Sequence, residues 1–510
     1  MKQEKPFIIE FESRKGNKYV YDVTTNSIFP ASDLILEILG DFKNLERQQV
    51  VENLSQRYPI DEVEKSYQKV AKWIKCDGAF FPSKELKIST MPSEAQFKTH
   101  ISNCSHIILC PTDQCNLRCK YCSFSGEYPI NRIHNNETMS LDVAIKTINY
   151  FLFDTLKSEQ RNCFGDTVTI GLYGGECLLQ FPLIKQCIEY VKSIGYENNV
   201  FWNISTNGTL LTEEKIRYFL QMKNIKIAVS LDGFQEENDR HRVFHGDKGS
   251  FDIITKNLER IFSLDPVFYK KNVHFQPVLP KYNDPYKFLE FFMSYPLVKE
   301  NTLASQIGDI APGSDSFYKE LSEEKNKKFL DSYSQLFRRH LEMLMDGDVD
   351  SREFEILLAL SGNVLYRVHN RLYRHIDRLS FTTGTCIPGA RKIYVAPNGS
   401  FHICERVTEN NSIGDCFSGL DYQKCKNVYN KYIEAVTVDC QNCVNLNFCS
   451  LCFSMAETES GFDPGDFCIT SRQNLKGILS DYCSVMEENP KAFEMIGKKS
   501  KLLNYDNGEK

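Results

Sequence analysis

Between residues 107 and 310, short apolar runs alternate with segments whose apolar residues recur at helical spacing. This alternation predicts a parallel sheet or barrel of βα units, since a parallel strand needs a crossover helix to return to the same sheet. Strands are expected at 107–109, 168–173, 200–205, 225–231 and 273–278, with a weaker one at 306–310. Loops at the C-terminal ends of such strands converge, and functional side chains gather there. Upstream, Phe7-Ile8-Ile9 and Tyr19-Val20-Tyr21 flank a turn at Gly16-Asn17, and Val63, Tyr67, Val70 and Ile74 keep helical spacing after Pro59. A small β-then-α module is expected there, with a linker between Pro82 and Pro92. Residues 316–380 read as helical, with a stripe of Phe329, Tyr333, Leu336 and Leu341, and a cysteine-dense stretch begins at Thr385.

At 510 residues the chain is too long for one ordinary core, and several domains are expected. The net charge of -6 offers no basic footprint for nucleic acid. The opening MKQEKPFIIEF puts charges where an export signal needs an apolar run, and no apolar stretch is long enough to span a bilayer, so a cytoplasmic protein with no membrane partner is expected. Nineteen cysteines in a reducing compartment point to metal thiolates rather than disulfides. Their placement agrees, because ten lie from Cys386 to Cys483 and three within residues 115–122.

The run Cys115-Asn-Leu-Arg-Cys119-Lys-Tyr121-Cys122 follows the first strand directly. Three thiolates at this spacing can hold three corners of a four-iron cluster and leave one iron open. Zinc is the competing occupant, but it favours four ligands in paired spacings. At the end of the second strand stands Tyr173-Gly174-Gly175-Glu176, where glycines allow close backbone approach and a carboxylate can accept from an ammonium group. Ser205-Thr206-Asn207-Gly208 closes the third strand, and Ser230-Leu231-Asp232-Gly233 the fourth, followed by Asn238-Asp239-Arg240-His241-Arg242. Downstream come Cys386, Cys404, Cys440-x-x-Cys443, Cys449-x-x-Cys452 and Cys468. A zinc ribbon also uses paired CxxC, but these pairs stand too close for its usual intervening hairpin. Cys76, Cys104, Cys110, Cys163, Cys187 and Cys483 are expected as core thiols, and His402 as a buried histidine rather than a ligand.

The CxxxCxxC run with an aromatic before its last cysteine resembles the radical S-adenosylmethionine (SAM) superfamily, and the C-terminal cysteines resemble the SPASM domain of its peptide maturases. The implied fold is α/β: a partial (β/α)6 barrel with an N-terminal winged-helix-like domain and a C-terminal iron–sulfur domain. The implied division is residues 1–92 for precursor-peptide recognition, 98–315 for the barrel, 316–380 for a helical bridge, 381–485 for the SPASM domain and 486–510 for a tail.

By the same resemblance, Cys115, Cys119 and Cys122 hold a [4Fe-4S] cluster whose open iron chelates SAM, and its cleavage yields a 5'-deoxyadenosyl radical. Tyr121, Gly174, Gly175, Glu176, Ser205, Asn207, Ser230 and Arg242 line the SAM site, Glu176 toward the methionyl amino group. Cys177 stands where the family motif continues with proline, which puts the local turn in question. Two auxiliary [4Fe-4S] clusters are implied, one on Cys440, Cys443, Cys449 and Cys468 and one on Cys386, Cys404 and Cys452. The fourth ligand of the latter stays open between Cys416, Cys425 and a substrate thiol. The implied reaction is thioether formation in a ribosomally made precursor peptide, with flavodoxin or ferredoxin as electron donor. Carbon–carbon cross-linking, sulfatase-type side-chain oxidation and a zinc-stabilised peptide-binding protein are the alternatives.

Overall fold

The computed structural model describes residues 5–499 apart from 83–87, 89–90, 103, 126–131, 156–166, 304–306, 308–309, 311–315, 362–363 and 374–384. Cys163 and most of the expected linker lie outside the described residues.

Strands β1 (Ile8–Glu12), β2 (Lys18–Asp22) and β3 (Ser27–Pro30) form an antiparallel sheet in that order. Sequence periodicity missed β3, which is only four residues long and ends in proline. Buried Asp22 accepts the amides of Thr24, Thr25 and Phe80, so it caps the β2–β3 turn and ties it to the end of the module. Helices Asp33–Asp41, Arg47–Leu54 and Ile60–Asp77 follow. Ser32 caps the first by accepting from the Ile35 amide, and Gly78, with φ 63°, ends the last in the left-handed conformation that glycine tolerates. Val20, Leu34, Ile38, Val63, Val70 and Phe80 make this module's core.

The main sheet has nine strands in the order β12-β11-β10-β9-β4-β5-β6-β7-β8. β4 (His106–Leu109), β5 (Val168–Leu172), β6 (Val200–Thr206), β7 (Ile225–Val229) and β8 (Val273–Phe275) run parallel, as the apolar runs predict. Most of the sixth expected strand, at 306, 308 and 309, lies outside the described residues, and Ile307 and Ile310 carry no strand structure. One parallel bridge joins Phe275 to Leu303, four residues before Ile307.

Part of the C-terminal region joins this sheet, while Glu457–Thr458 and Gly461–Phe462 pair as a separate two-stranded sheet. β9 (Lys392–Val395) lies parallel to β4, and β10 (Ser400–His402), β11 (Gly414–Asp415) and β12 (Gly419–Leu420) continue from it antiparallel. One face of the strands buries Ile107, Leu109, Ile170, Leu172, Trp202, Ile204, Ile227 and Val229 against helices. The other gathers Ile108, Cys110, Tyr394 and Ala396, with Tyr173 packed against them.

The expected helical stretch after the sheet contains helices Glu323–Asp346, Arg352–Ser361 and Val364–His369. A long helix, Phe467–Glu488, packs on β1. The Tyr19 hydroxyl and Asn17 amide donate to Glu487 at 2.7 and 3.1 Å, and Arg14 pairs with Asp481 at 2.9 Å.

Candidate cluster and cofactor site

The loop after β4 carries three cysteines because its backbone is tied on two sides. The amides of Arg118 and Lys120 donate to the carbonyls of Val243 and His241 at 2.7 and 3.0 Å. On the other side, the amides of Gly175 and Glu176 donate to the carbonyls of Thr112 and Gln114 at 3.0 and 2.7 Å. A Cβ on Gly175 would stand 2.0 Å from the Gln114 carbonyl oxygen, and one on Gly174 (φ 155°) would stand 2.5 Å from Cys110 Sγ. The paired glycines are therefore a packing requirement of the cysteine loop.

The three thiols share this loop, and two of them take backbone donors. The amides of Leu117 and Phe124 donate to Cys115 Sγ and Cys122 Sγ, both at 3.4 Å, and Asn207 Nδ2 stands 3.8 Å from Cys115 Sγ. Burial pushes the Cys115 and Cys122 thiols up to about 12, reinforced by Glu176 at Cys115 and by Cys119 at Cys122. Three cysteines on one loop are the ligand type and number for a four-iron cluster with one free corner. Cys122 Sγ also faces His134 Nε2 at 3.8 Å, and the opposite ring nitrogen meets the Asp113 carbonyl at 3.0 Å.

Glu176 is fully buried. It accepts from the Thr206 hydroxyl at 2.7 Å, the Leu178 amide at 3.1 Å and the Asn207 amide at 2.8 Å, and so joins the ends of β5 and β6. Burial raises its carboxyl, and these three donors oppose the rise. Cys177 replaces the proline of the resemblance without breaking the turn, because its thiol donates to the Ser205 carbonyl at 3.2 Å. Asn207 Nδ2 also donates to Asn116 at 2.9 Å.

Ser205 and Ser230 stand half-buried where β6 and β7 end, and the Ser230 amide donates to the carbonyl of Thr206, next to Ser205, at 3.0 Å. Arg242 Nη1 donates to the Tyr121 hydroxyl at 2.6 Å, and that hydroxyl donates to Asp232. Asp232 also accepts the Val278 amide at 2.9 Å. Sequence reasoning quoted Asp232 and Thr206 in motifs yet gave them no task; strand alternation, which puts Thr206 opposite Ser205, is the signal that finds the latter.

Two further cysteine groups lie in the C-terminal region. Cys386 and Cys404 are each within electrostatic reach of Cys452. Cys440 is within reach of Cys443, Cys449 and Cys468. Burial pushes Cys404 up to about 11 and Cys440 up to about 12. Cys416 instead packs on Gly399, and the Cys425 thiol points to the Ile413 carbonyl at 3.8 Å. His402 is buried and bonded to Ser400 at 2.8 Å. Cys104, Cys110, Cys187 and Cys483 are buried, whereas Cys76 is exposed: it sits in the last turn of its helix, on the solvent side, so it is no core thiol.

Residues 109–292 match the family model described as the Radical SAM superfamily, and this segment is a radical SAM domain. The superfamily carries a [4Fe-4S] cluster and SAM, and the cysteine loop supplies a donor set of the right kind for that cluster. The chain is 29% identical over 207 residues to the cysteine-type anaerobic sulfatase-maturating enzyme of Clostridium novyi, covering 36% of this chain and 53% of that protein. It thus spans about half the length of that relative. It is 23% identical to the radical SAM cyclopropyl synthase TigE of Paramaledivibacter caminithermalis over 70% of this chain and 69% of that one. Native anSMEcpe with bound AdoMet superposes with a TM-score of 0.51 at 16% identity, covering 79% of this chain and all of that one, which shows a shared fold.

Proposed function

We propose that the protein is a radical SAM enzyme that modifies a ribosomally made precursor peptide by closing a cysteine thioether. The observation that carries this reading is the pair of C-terminal cysteine groups, four and three strong, in a chain whose radical SAM domain shares its sheet. When bound, the SAM cluster supplies the electron that releases a 5'-deoxyadenosyl radical. The chain's own residues hold and shield that chemistry. Cys115, Cys119 and Cys122 anchor the cluster; Gly174 and Gly175 let the backbone approach SAM; Glu176 orients its amino group. Arg242, held by Tyr121 and Asp232, faces the carboxylate, and Ser205, Asn207 and Ser230 meet the ribose. Cys440, Cys443, Cys449 and Cys468 hold one auxiliary cluster. Cys386, Cys404 and Cys452 hold the other and leave a corner for a substrate thiolate, since Cys416 and Cys425 are engaged elsewhere.

Closing a C–S bond removes one hydrogen from carbon and one from the thiol, so two electrons leave the peptide. One would leave with the carbon's hydrogen atom to the adenosyl radical; an auxiliary cluster held by the C-terminal cysteines would supply an acceptor for the other, and the thiol's proton would pass to solvent. The outer edge of β3 pairs with no strand among the described residues and offers backbone groups for a leader peptide to add as a strand. Native anSMEcpe with bound AdoMet and Cp18Cys peptide, at a TM-score of 0.50, is a related fold holding a peptide. Flavodoxin or ferredoxin is the proposed donor, and no described helix is long and apolar enough to cross a membrane.

The test is anaerobic reconstitution followed by iron, sulfide and zinc analysis, then incubation with SAM, dithionite and short Cys-rich peptides encoded beside the gene. About twelve irons per chain, as three four-iron clusters require, with 5'-deoxyadenosine and a peptide lighter by two hydrogens that resists thiol alkylation, is the expected result. A peptide that loses hydrogens yet keeps an alkylatable thiol points to carbon–carbon cross-linking or sulfatase-type oxidation. Zinc throughout, without SAM cleavage, overturns the enzyme reading.

A further inference from the structure

The two C-terminal cysteine groups meet at one short covalent link, Cys449-Ser450-Leu451-Cys452. Cys449 is within electrostatic reach of Cys443 and Cys468, whereas Cys452 is within reach of Cys386 and Cys404. The spacing and orientation of the two groups therefore depend on how residues 450 and 451 are held. Leu451 is buried, and its amide donates to the Cys449 sulfur. Its carbonyl accepts from the hydroxyl of Tyr432 at 3.1 Å.

Tyr432 is itself immobilised. It lies fully buried on helix Tyr422–Val436, and its ring packs on Phe453, the residue after Cys452, with centroids 4.4 Å apart. Phe462 closes the other edge at 5.4 Å. The phenol is within electrostatic reach of Cys449, Cys452 and Cys440, so it borders both groups. A hydroxyl on a rigid ring, bonded also to Thr385, thus holds a residue that donates an N–H to a cysteine sulfur.

We infer that Tyr432 is a positioning residue for the auxiliary clusters: by holding Leu451 it keeps the amide-to-sulfur hydrogen bond at Cys449 aligned and sets that cluster's reduction potential. This rests on the reading of the two groups as ligands of separate clusters. An N–H aimed at a cysteine sulfur withdraws negative charge and favours the reduced cluster, so losing its alignment lowers the potential.

The test is a redox titration of the reconstituted full-length chain followed by electron paramagnetic resonance, comparing wild type, Tyr432→Phe and Tyr429→Phe. Tyr429 is a fair control, since it is buried on the same helix and its hydroxyl lacks a hydrogen-bond partner. Tyr432→Phe keeps the ring and loses only the hydroxyl. The expected result is unchanged iron and sulfide, a more negative midpoint for one C-terminal cluster, an unaltered SAM-cluster signal, and no shift in Tyr429→Phe. Loss of C-terminal iron with the SAM-cluster signal kept is the same result in a stronger form. Unchanged midpoints in Tyr432→Phe, or an equal shift in Tyr429→Phe, overturn the assignment. Wild type holding only the iron of the SAM loop removes the cluster reading itself, a failure told apart before any variant is compared.

Discussion

Glu176 meets three donors and has no solvent contact, so three of the roughly four acceptor positions on its carboxylate are taken before any ligand arrives. Glu176→Gln replaces one oxygen with an amide that must face a donor, which costs about 1–3 kcal/mol because a buried polar group is left unpaired. Denaturant unfolding should register that loss, and equilibrium dialysis should show weaker SAM binding; a variant as stable as wild type would mean the three bonds are dispensable. A second residue gives a pH signature remote from the cysteines. His340 is buried and stacked on Phe354 with centroids 5.0 Å apart, and burial lowers its pKa from 6.5 to about 4. The unfolded chain therefore takes up a proton below 6.5 that the folded chain refuses until about 4, and stability falls as pH falls through that window. The slope is up to about 1.4 kcal/mol per pH unit. His340→Phe should make the unfolding free energy lost between about pH 6 and about pH 5 smaller by roughly 1 kcal/mol, measured in guanidinium.

The segment 173–176 works as an element rather than as four residues, because its backbone and the cysteine loop occupy each other's clearance. Gly175→Ala would drive a Cβ into the Gln114 carbonyl, an obstacle of backbone rather than of a flexible side chain. The expected outcome is a chain that keeps its C-terminal iron and loses iron from the SAM loop, read by iron analysis and by absent 5'-deoxyadenosine; normal iron with normal cleavage would refute the packing argument. This element was legible in sequence since glycine pairs and cysteine spacings are local signals. So were β4 to β8, whose apolar runs are buried and continuous. What escaped was non-local. β3 has four residues, β11 and β12 have two each, and their pairing is decided by partners far along the chain. The role of Asp232 depends on Tyr121, more than a hundred residues earlier, and no periodicity encodes that meeting. Cys76 was misread because a thiol in an amphipathic helix carries no marker of which side it takes.

At the scale of the molecule, β9 is the element that matters most, because it makes the C-terminal region part of the sheet that carries the SAM loop. Ile393 of β9 is buried and pairs with Ile107 of β4, and β4 pairs through β5 to β6, where Trp202 lies. The only other tryptophan is Trp73, in the N-terminal module, so a Trp73→Phe background makes Trp202 a reporter of the parallel strands alone. Ile393→Ala removes buried methyl groups and leaves a cavity, at a cost of about 2–5 kcal/mol. If the nine strands unfold as one cooperative unit, that cost must appear in the Trp202 fluorescence transition although the substitution lies about 190 residues downstream, since cooperativity spreads a local loss over everything that unfolds with it. The visible absorbance of reconstituted C-terminal clusters should then disappear at the same denaturant concentration as the Trp202 signal changes. A Trp202 midpoint that stays at the wild-type value while the absorbance midpoint falls would show the two regions to be thermodynamically separate, joined by hydrogen bonds but not by stability.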